Sequence, residues 1–367
     1  MSITDTTGLR PGTEWEPDPG PPNTIRPGGV SDVAGEPDSR CTMTFRSMNT
    51  DVHIEVAQPT VSAPRAMELA RHVFCDIEAT CTRFDPDSAL MRANDAGRQW
   101  FDVPAVCYLA IAEAHAAHRE TDGLFDPRIL QSLVSLGYDR TLPFDRGPVT
   151  VVPSTSPSQP PTLIADQHHV GAAPWIPGLD PTRSAVRIGP QPIDLGGIGK
   201  GLAVRLAARE LAGAGAAALV EAGGDLAVLG AGPDGTGWIV GVEDPLAEGS
   251  GGSGEEPVAV LNLVDTSCAT SSLRKRTWTV AGQRRHHLID PRTGASSDSG
   301  LRSVTVVMPD AARAEVWSKA LLIAGAGRIA ALAQERQLAA LWVDDAGRHA
   351  MSAAMVPLVI WRRTDAC

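Results

Sequence analysis

The chain has 367 residues, 43% hydrophobic and 20% charged, enough to bury a substantial core in one large domain or two small ones. Lys and Arg number 32 against 43 Asp and Glu, and the net charge of −11 argues against a general affinity for nucleic acid backbones or anionic membranes. Aromatic residues make up only 4% while Gly and Pro number 36 and 29, a turn-rich composition that argues against an aromatic cage or base-stacking platform.

Residues 1–40 are rich in Pro, Gly, Asp and Thr with no apolar period, and read as a disordered lead-in to a folded part at 41–367. The opening MSITDTTGLRPGTEWEPDPGPP lacks the basic and apolar regions of a signal peptide, and no run approaches the ~20 apolar residues of a bilayer span, so a cytoplasmic location is expected. Alternation over MTFRSMNTDVHIEVA predicts a strand pair turning at Asn49. Apolar residues at helical spacing predict helices over Ala63–Thr82 and Ala105–Arg119. A Pro-rich stretch at 141–185, with PSTSPSQPPT and AAPWIPGLDP, is barred from helix and central strand and reads as either an interdomain linker or an insert. Helices at 200–213 and 312–325 alternate with strands within 217–242 and 258–290, and EGSGGSGEEP at 248–257 reads as a flexible loop. This order suits an α+β fold with mixed or antiparallel sheets better than a regular βαβ repeat. Cys41, Cys75, Cys81, Cys107, Cys268 and Cys367 form no C-x-x-C pair or metal quartet and read as small core residues.

Four segments carry chemistry. PIDLGGIGKGLAVRLAARELAGAG at 192–215 passes from a short strand ending at Leu195 through Gly196, Gly197, Gly199 and Gly201 into a helix near Lys200. Such glycines let backbone N–H groups approach an anion, and Lys200 adds a full charge; the alternative is a tight strand-to-helix turn with an exposed Lys. The run satisfies neither the P-loop nor the G-x-G-x-x-G pattern. In AALVEAGGDLAVLG, 217–230, two strands flank the Gly223-Gly224 turn; Asp225 is either a plain turn residue or part of a second glycine-lined edge facing the first.

In RRHHLIDPRTG, 284–294, a histidine can take a proton from a hydroxyl, and Arg284 and Arg285 suit a phosphoanion. Neighbouring strand residues face opposite sides, so His286 and His287 are not expected to share a ligand, and one of them is the better candidate. Glu315 and Lys319, in SVTVVMPDAARAEVWSKALLIAG at 303–325, share a helix face at i and i+4. They form either a solvated salt bridge or, since Ala314, Val316, Leu321 and Leu322 make the helix largely apolar, charges placed at a site.

Taken in order, these segments resemble the FAD:protein FMN transferase (ApbE) family. Its D-L-G-G-[IL]-[AG]-K-G is matched by Asp194 to Gly201, its G-G-D by Gly223 to Asp225, and its H-x-[IL]-D-P-x-T-G by His287 to Gly294. Its M-G-T is similar to Met48-Asn49-Thr50, its S-R-F-x-x-x-S-x-x-x-x-x-N to Thr82-Arg83-Phe84 with Ser88 and Asn94, and its T-D-G-x-F-D to Thr121 to Asp126.

The resemblance implies a T-fold-like α+β domain that transfers FMN from FAD to a Thr or Ser hydroxyl of an acceptor protein, releases AMP and uses Mg²⁺. Hydrolysis of FAD to FMN and AMP, or FAD binding without catalysis, are alternative uses of the same pocket. By matching position, Met48, Leu124, Phe125, Asp126, Asp194 and Lys200 are expected to contact FAD, with Asp225 and Ile289 in the same site, and His287 is the expected general base. The metal is expected at the Gly197 carbonyl and Glu315. The family's A-D-x-x-[AS]-T reads here as Ala314-Glu315-Val316-Trp317-Ser318-Lys319, so Glu stands for Asp and Lys319 replaces the usual third ligand. A charged ammonium has no lone pair and repels a cation, so either Lys319 partly replaces the metal's charge or Mg²⁺ takes a shifted ligand set. Arg205 in place of an acidic residue and Ser272 in place of Gly bear on flavin contact. With so few aromatics, the isoalloxazine is expected to rest on Met48, Phe125 and aliphatic side chains.

Overall fold

The computed structural model describes residues 2–3, 39–144, 147, 149–151, 173–247 and 256–364. The expected lead-in at 1–40 and Gly/Ser loop at 248–257 fall almost wholly outside these residues. The architecture is α+β. An eight-stranded antiparallel sheet runs in the order His349–Met351, Ala339–Asp344, Leu301–Met308, Thr266–Ser272, Asp225–Leu229, Ala217–Ala222, Thr50–Ala57 and Arg40–Ser47.

Side-chain alternation along these strands builds two cores. Val52, Ile54, Val56, Val220 and Ala222 face a helical layer, whereas Leu219, Leu226 and Val228 face a second sheet through Trp238, Val240 and Leu261. The helical layer contains Ala63–Cys81, Gly199–Glu210 and Ala311–Ala324, packed side by side in that order. The helix expected over Ala105–Arg119 spans Ala105–Glu120 and packs behind Ala63–Cys81. Met43 to Ala57 turns as expected: Ser47 pairs with Thr50, and the two loop residues Met48 and Asn49 have φ of 52° and 59°. That turn explains why Gly or Asn suits position 49, and it holds Met48 in a conformation uncommon for a bulky residue.

The Pro-rich region is woven into the fold at both ends. Val149–Val151 joins Thr277–Val280 in parallel, and Gly178–Asp180 pairs with Ala185–Arg187; the Val149–Val151 and Gly178–Asp180 strands each occupy a sheet edge, where proline-rich neighbours are tolerated. Trp175 is buried and donates its indole N–H to the Ile188 carbonyl at 3.1 Å. Residues 152–172 lie outside the described residues. Cys41, Cys81, Cys107 and Cys268 are free thiols in the core; Cys75, expected there too, is only half-buried, its Sγ accepting from Arg71, and Cys367 lies outside the described residues. Among the described residues no helix is long and apolar enough to cross a membrane.

Candidate functional site

A cavity of about 560 Å³ opens where the Met48–Asn49 turn, the Leu124–Pro127 loop, the glycine run and the His287–Ile289 segment meet. Met48, Leu124, Phe125, Asp126, Asp194 and Gly197 line it. So do Lys200, His287, Ile289 and Lys319. Asp225 and Glu315 lie directly behind the wall, 1% and 0% exposed, and reach the cavity only through the lysines they hold.

Those four charges form a buried quartet. The Lys200 ammonium donates to Asp225 and, at 3.2 Å, to Glu315 Oε1; Lys319 Nζ donates to the same Oε1 at 2.9 Å, and the Gly201 backbone N–H donates to Oε2 at 2.8 Å. Burial pushes the Asp225 carboxyl up to about 6 against the pull of Lys200. Burial acts the same way on Glu315, but two ammonium groups and the Gly201 N–H outweigh it and hold that carboxyl at about 2. Burial lowers the Lys319 pKa, and Glu315 opposes the shift. The pair at 315 and 319 is therefore no solvated surface bridge: both lysine side chains are only 13% exposed.

Four N–H groups of the glycine run are taken up inside the protein. The Ile198 and Gly199 N–H groups donate to the Leu195 carbonyl, Gly196 N–H donates to Asp194 Oδ1, and Gly201 N–H is held by Glu315. The glycines also make room. A Cβ on Gly197 would lie 2.9 Å from the Phe125 ring, one on Gly199 would lie 3.1 Å from Met48 Cε, and one on Gly201 would lie 2.5 Å from the Ala311 carbonyl. Lys200 is likewise not the exposed residue of a plain turn. Gly223 and Gly224, with φ of 59° and 95°, make the hairpin turn that delivers buried Asp225 to Lys200.

The two histidines separate as expected. His286 bonds through Nε2 to the Ser297 carbonyl and lies outside the cavity wall. His287 Nδ1 lies 3.3 Å from the Arg276 carbonyl, which can only accept, so Nδ1 carries the proton and Nε2 keeps its lone pair. Nε2 has no partner among the described residues. Burial, then Arg276 and Lys319 beside it, hold the His287 pKa well below the ordinary histidine value.

Asp194 and Asp126 are each neutralised. Arg83 Nε pairs with Asp194 at 3.0 Å, and Arg128 grips both oxygens of Asp126, the shortest contact being 2.6 Å. Three cavity features went unread in the sequence: the Arg83 guanidinium stacked over Phe84 and Tyr138 at 4.2 and 4.3 Å, the two rings themselves, and Arg276. The lining thus holds more aromatic surface than Met48 and Phe125 alone. Arg83-Phe84 was visible in the T-R-F match; Arg276 was hidden in the run Arg274-Lys275-Arg276, whose three cations only the fold distinguishes. Arg284 and Arg285, expected near a phosphoanion, lie outside the lining. Arg205 braces Glu113 and Asp310 at 2.9 and 3.0 Å, and Ser272 Oγ accepts from Arg274 N–H; neither lines the cavity.

The expected Mg²⁺ site at Gly197 and Glu315 does not fit a divalent cation. Both Glu315 oxygens are engaged, and the Lys319 stem runs beside Gly197, its Cδ and Cε 3.6 and 3.7 Å from where a Cβ would sit. Among the described residues, no three His, Cys, Asp or Glu side chains are grouped to hold a metal.

Fold and site define an α+β protein whose cavity joins a lone-pair-bearing imidazole to fixed cations. The model of the ApbE family matches residues 48–342, and the chain belongs to that family. The FAD:protein FMN transferase of Treponema pallidum is 28% identical over 298 residues, covering 77% of this chain and 78% of that one. That of Escherichia coli K12 is 25% identical over 305 residues, covering 79% and 80%. The ApbE protein of Thermotoga maritima superposes with a TM-score of 0.71 at 24% identity over 89% of this chain and all of the other. The flavin transferase ApbE of Vibrio cholerae gives 0.69 at 23% identity over 87% and 99%, a likeness of fold.

Proposed function

We propose that the chain is an FAD:protein FMN transferase that moves FMN from FAD to a Thr or Ser hydroxyl of an acceptor protein and releases AMP. The observation that carries this reading is the shared cavity of His287 with Lys200, Lys319 and Arg276. His287 Nε2 takes the proton from the acceptor hydroxyl while its oxygen attacks the FMN-side phosphorus. A new P–O bond forms to the acceptor, the bond to the bridging oxygen breaks, and AMP leaves with the electron pair. Such a reaction asks little covalent chemistry of the protein; it needs an oriented hydroxyl, a base and positive charge at the phosphoryl oxygens. Lys200, Lys319 and Arg276 supply that charge. In this reading the apolar and aromatic wall of Met48, Phe84, Phe125, Tyr138 and Ile289 takes the flavin end, with Leu124, Asp126 and Asp194 fixing the loops around it. Asp225 acts through Lys200.

The test is to mix the purified chain with FAD and an acceptor domain bearing a Thr, then separate the products. Flavin fluorescence that stays with the acceptor under denaturing electrophoresis supports transfer. Free FMN with AMP identifies an FAD pyrophosphatase, and bound, intact FAD identifies a non-catalytic binder; either result overturns the reading.

A further inference from the structure

We propose that Lys319 supplies the positive charge for the FAD diphosphate that a divalent metal would otherwise supply, so that this chain binds FAD without Mg²⁺. The inference rests on the FMN-transfer reading for the identity of the ligand.

Lys319 stands one helical turn after Glu315 on a buried face of the Ala311–Ala324 helix. A divalent cation binds where oxygen lone pairs converge. Here Oε1 of Glu315 receives Lys319 Nζ at 2.9 Å and Lys200 Nζ at 3.2 Å, and Oε2 receives the Gly201 N–H at 2.8 Å. The carbon stem of Lys319 takes up the space beside Gly197. A metal would have to displace an ammonium that is itself locked in place.

Charge balance points the same way. Two ammonium groups offset the two carboxylates of Asp225 and Glu315, so the quartet carries no surplus negative charge to draw a cation in. Next to it, the Arg276 guanidinium lines the cavity and makes no ion pair or hydrogen bond among the described residues, so it is a second cation facing the cavity beside Lys319; Glu78, the one lining carboxylate without an ion pair among the described residues, accepts from the Ser47 hydroxyl at 2.7 Å. Of the three N–H donors on Lys319, one goes to Glu315 and two have no partner among the described residues. Lys319 lines the cavity and is still 13% exposed, so those donors can meet phosphoryl oxygens. A fixed ammonium is organised before the ligand arrives and cannot be removed by a chelator.

The experiment uses the full chain stripped with EDTA, FAD as the probe, and flavin fluorescence together with AMP release as readouts. The wild type is expected to bind FAD equally well in EDTA and in Mg²⁺, and calorimetric titration of Mg²⁺ into the FAD-bound protein should give no binding heat. Lys319→Met should weaken FAD binding in EDTA by about tenfold, the scale of one preorganised charge contact. Lys319→Arg, which keeps the charge, should retain metal-free binding and shows that the position tolerates substitution without unfolding. Lys319→Thr should lose affinity in EDTA and regain it in Mg²⁺, because a hydroxyl oxygen then stands beside a freed Glu315. The proposal is overturned if the wild type takes up Mg²⁺ and gains FAD affinity from it, or if Lys319→Met binds FAD in EDTA as the wild type does. Failure of the FMN-transfer reading looks different: no AMP appears from any variant in either buffer, while the metal-free FAD affinity and its loss in Lys319→Met still support the role of Lys319.

Discussion

The Asn94 side chain closes a two-bond clamp on the backbone of Ile193: its Nδ2 donates to the Ile193 carbonyl at 2.9 Å and its Oδ1 accepts the Ile193 N–H at 2.9 Å. Ile193 is fully buried and immediately precedes Asp194; the short strand expected up to Leu195 is absent, the preceding strand ending at Arg187, so the clamp is what fixes the irregular segment from which the cavity's Asp194 and glycine run depart. Removing the amide strands a buried donor and a buried acceptor together, at roughly 1–3 kcal/mol each before relaxation. Asn94→Ala should therefore lower the denaturation midpoint and also weaken FAD binding. Asn94→Asp keeps the acceptor but loses the donor, and should fall between Ala and wild type in denaturant titration. Equal losses for both variants would show that the two bonds are not independent contributors.

Gly201 lies where the Gly199–Glu210 helix packs tightly on the Ala311–Ala324 helix. A Cβ there would sit 2.5 Å from the Ala311 carbonyl and 2.9 Å from both Ala312 Cα and Glu315 Cβ, all on a neighbouring backbone or its first side-chain atom. Gly201→Ala must push the helices apart, and overpacking of this kind costs about 1–3 kcal/mol. It also pulls the Gly201 N–H from Glu315, so FAD affinity should fall with stability. Gly327→Ala is the control: a Cβ there meets nothing within 4 Å, and thermal denaturation should leave it within roughly 0.5 kcal/mol of the wild type.

The contrast between these positions shows what the sequence could reveal. Helices over Ala63–Cys81, Ala105–Glu120 and Ala311–Ala324 were legible because apolar spacing is a local signal, and the Met48–Asn49 turn was legible from strand alternation around an Asn. The glycines at 196–201 were legible as unusual but not in their purpose. A sequence does not say what a glycine makes room for; only the positions of Ala311, Phe125 and Met48 show which neighbours these glycines admit. Glu315 and Lys319 were legible as a pair at i and i+4, but Lys200 is 115 residues from Glu315 and 25 from Asp225, so the meeting of the four charges is a product of the fold that no local pattern encodes. Ser88 and Asn94 were matched by motif alone. The fold gives them work: Ser88 caps the Ala89–Ala96 helix at the Met91 N–H and donates to the Thr82 carbonyl, and Asn94 holds Ile193.

His287 should act as a base with an unusual pH profile. A base must be unprotonated, and burial together with Arg276 and Lys319 keeps the folded-state pKa of His287 well below the ordinary value of about 6.5. Falling pH therefore leaves Nε2 free until the pH passes that lowered value. The profile of kcat/KM should stay level as pH drops through about 6.5 and turn down only below it. His287→Ala should reduce kcat by roughly 10²–10⁴-fold, the usual worth of general base catalysis, with FAD affinity retained. An acid limb centred at the ordinary histidine value, or near-normal turnover in His287→Ala, removes His287 from this role.

Arg276 tests the cavity's charge without disturbing its frame. Its backbone carbonyl orients His287, while its guanidinium lines the cavity and has no partner among the described residues. Arg276→Ala leaves that carbonyl in place and strands no buried carboxylate, so denaturation should shift by no more than about 0.5 kcal/mol. FAD affinity should instead fall by about tenfold, the loss of one charge-assisted contact to a phosphoryl oxygen. The salt dependence of binding should flatten as well, since one fewer half-buried cation then contributes to screened attraction. Arg276→Lys keeps the charge but not the planar fork and should recover part of the affinity. If Arg276→Ala binds FAD as tightly as the wild type across a salt series, the diphosphate does not lie against this wall of the cavity.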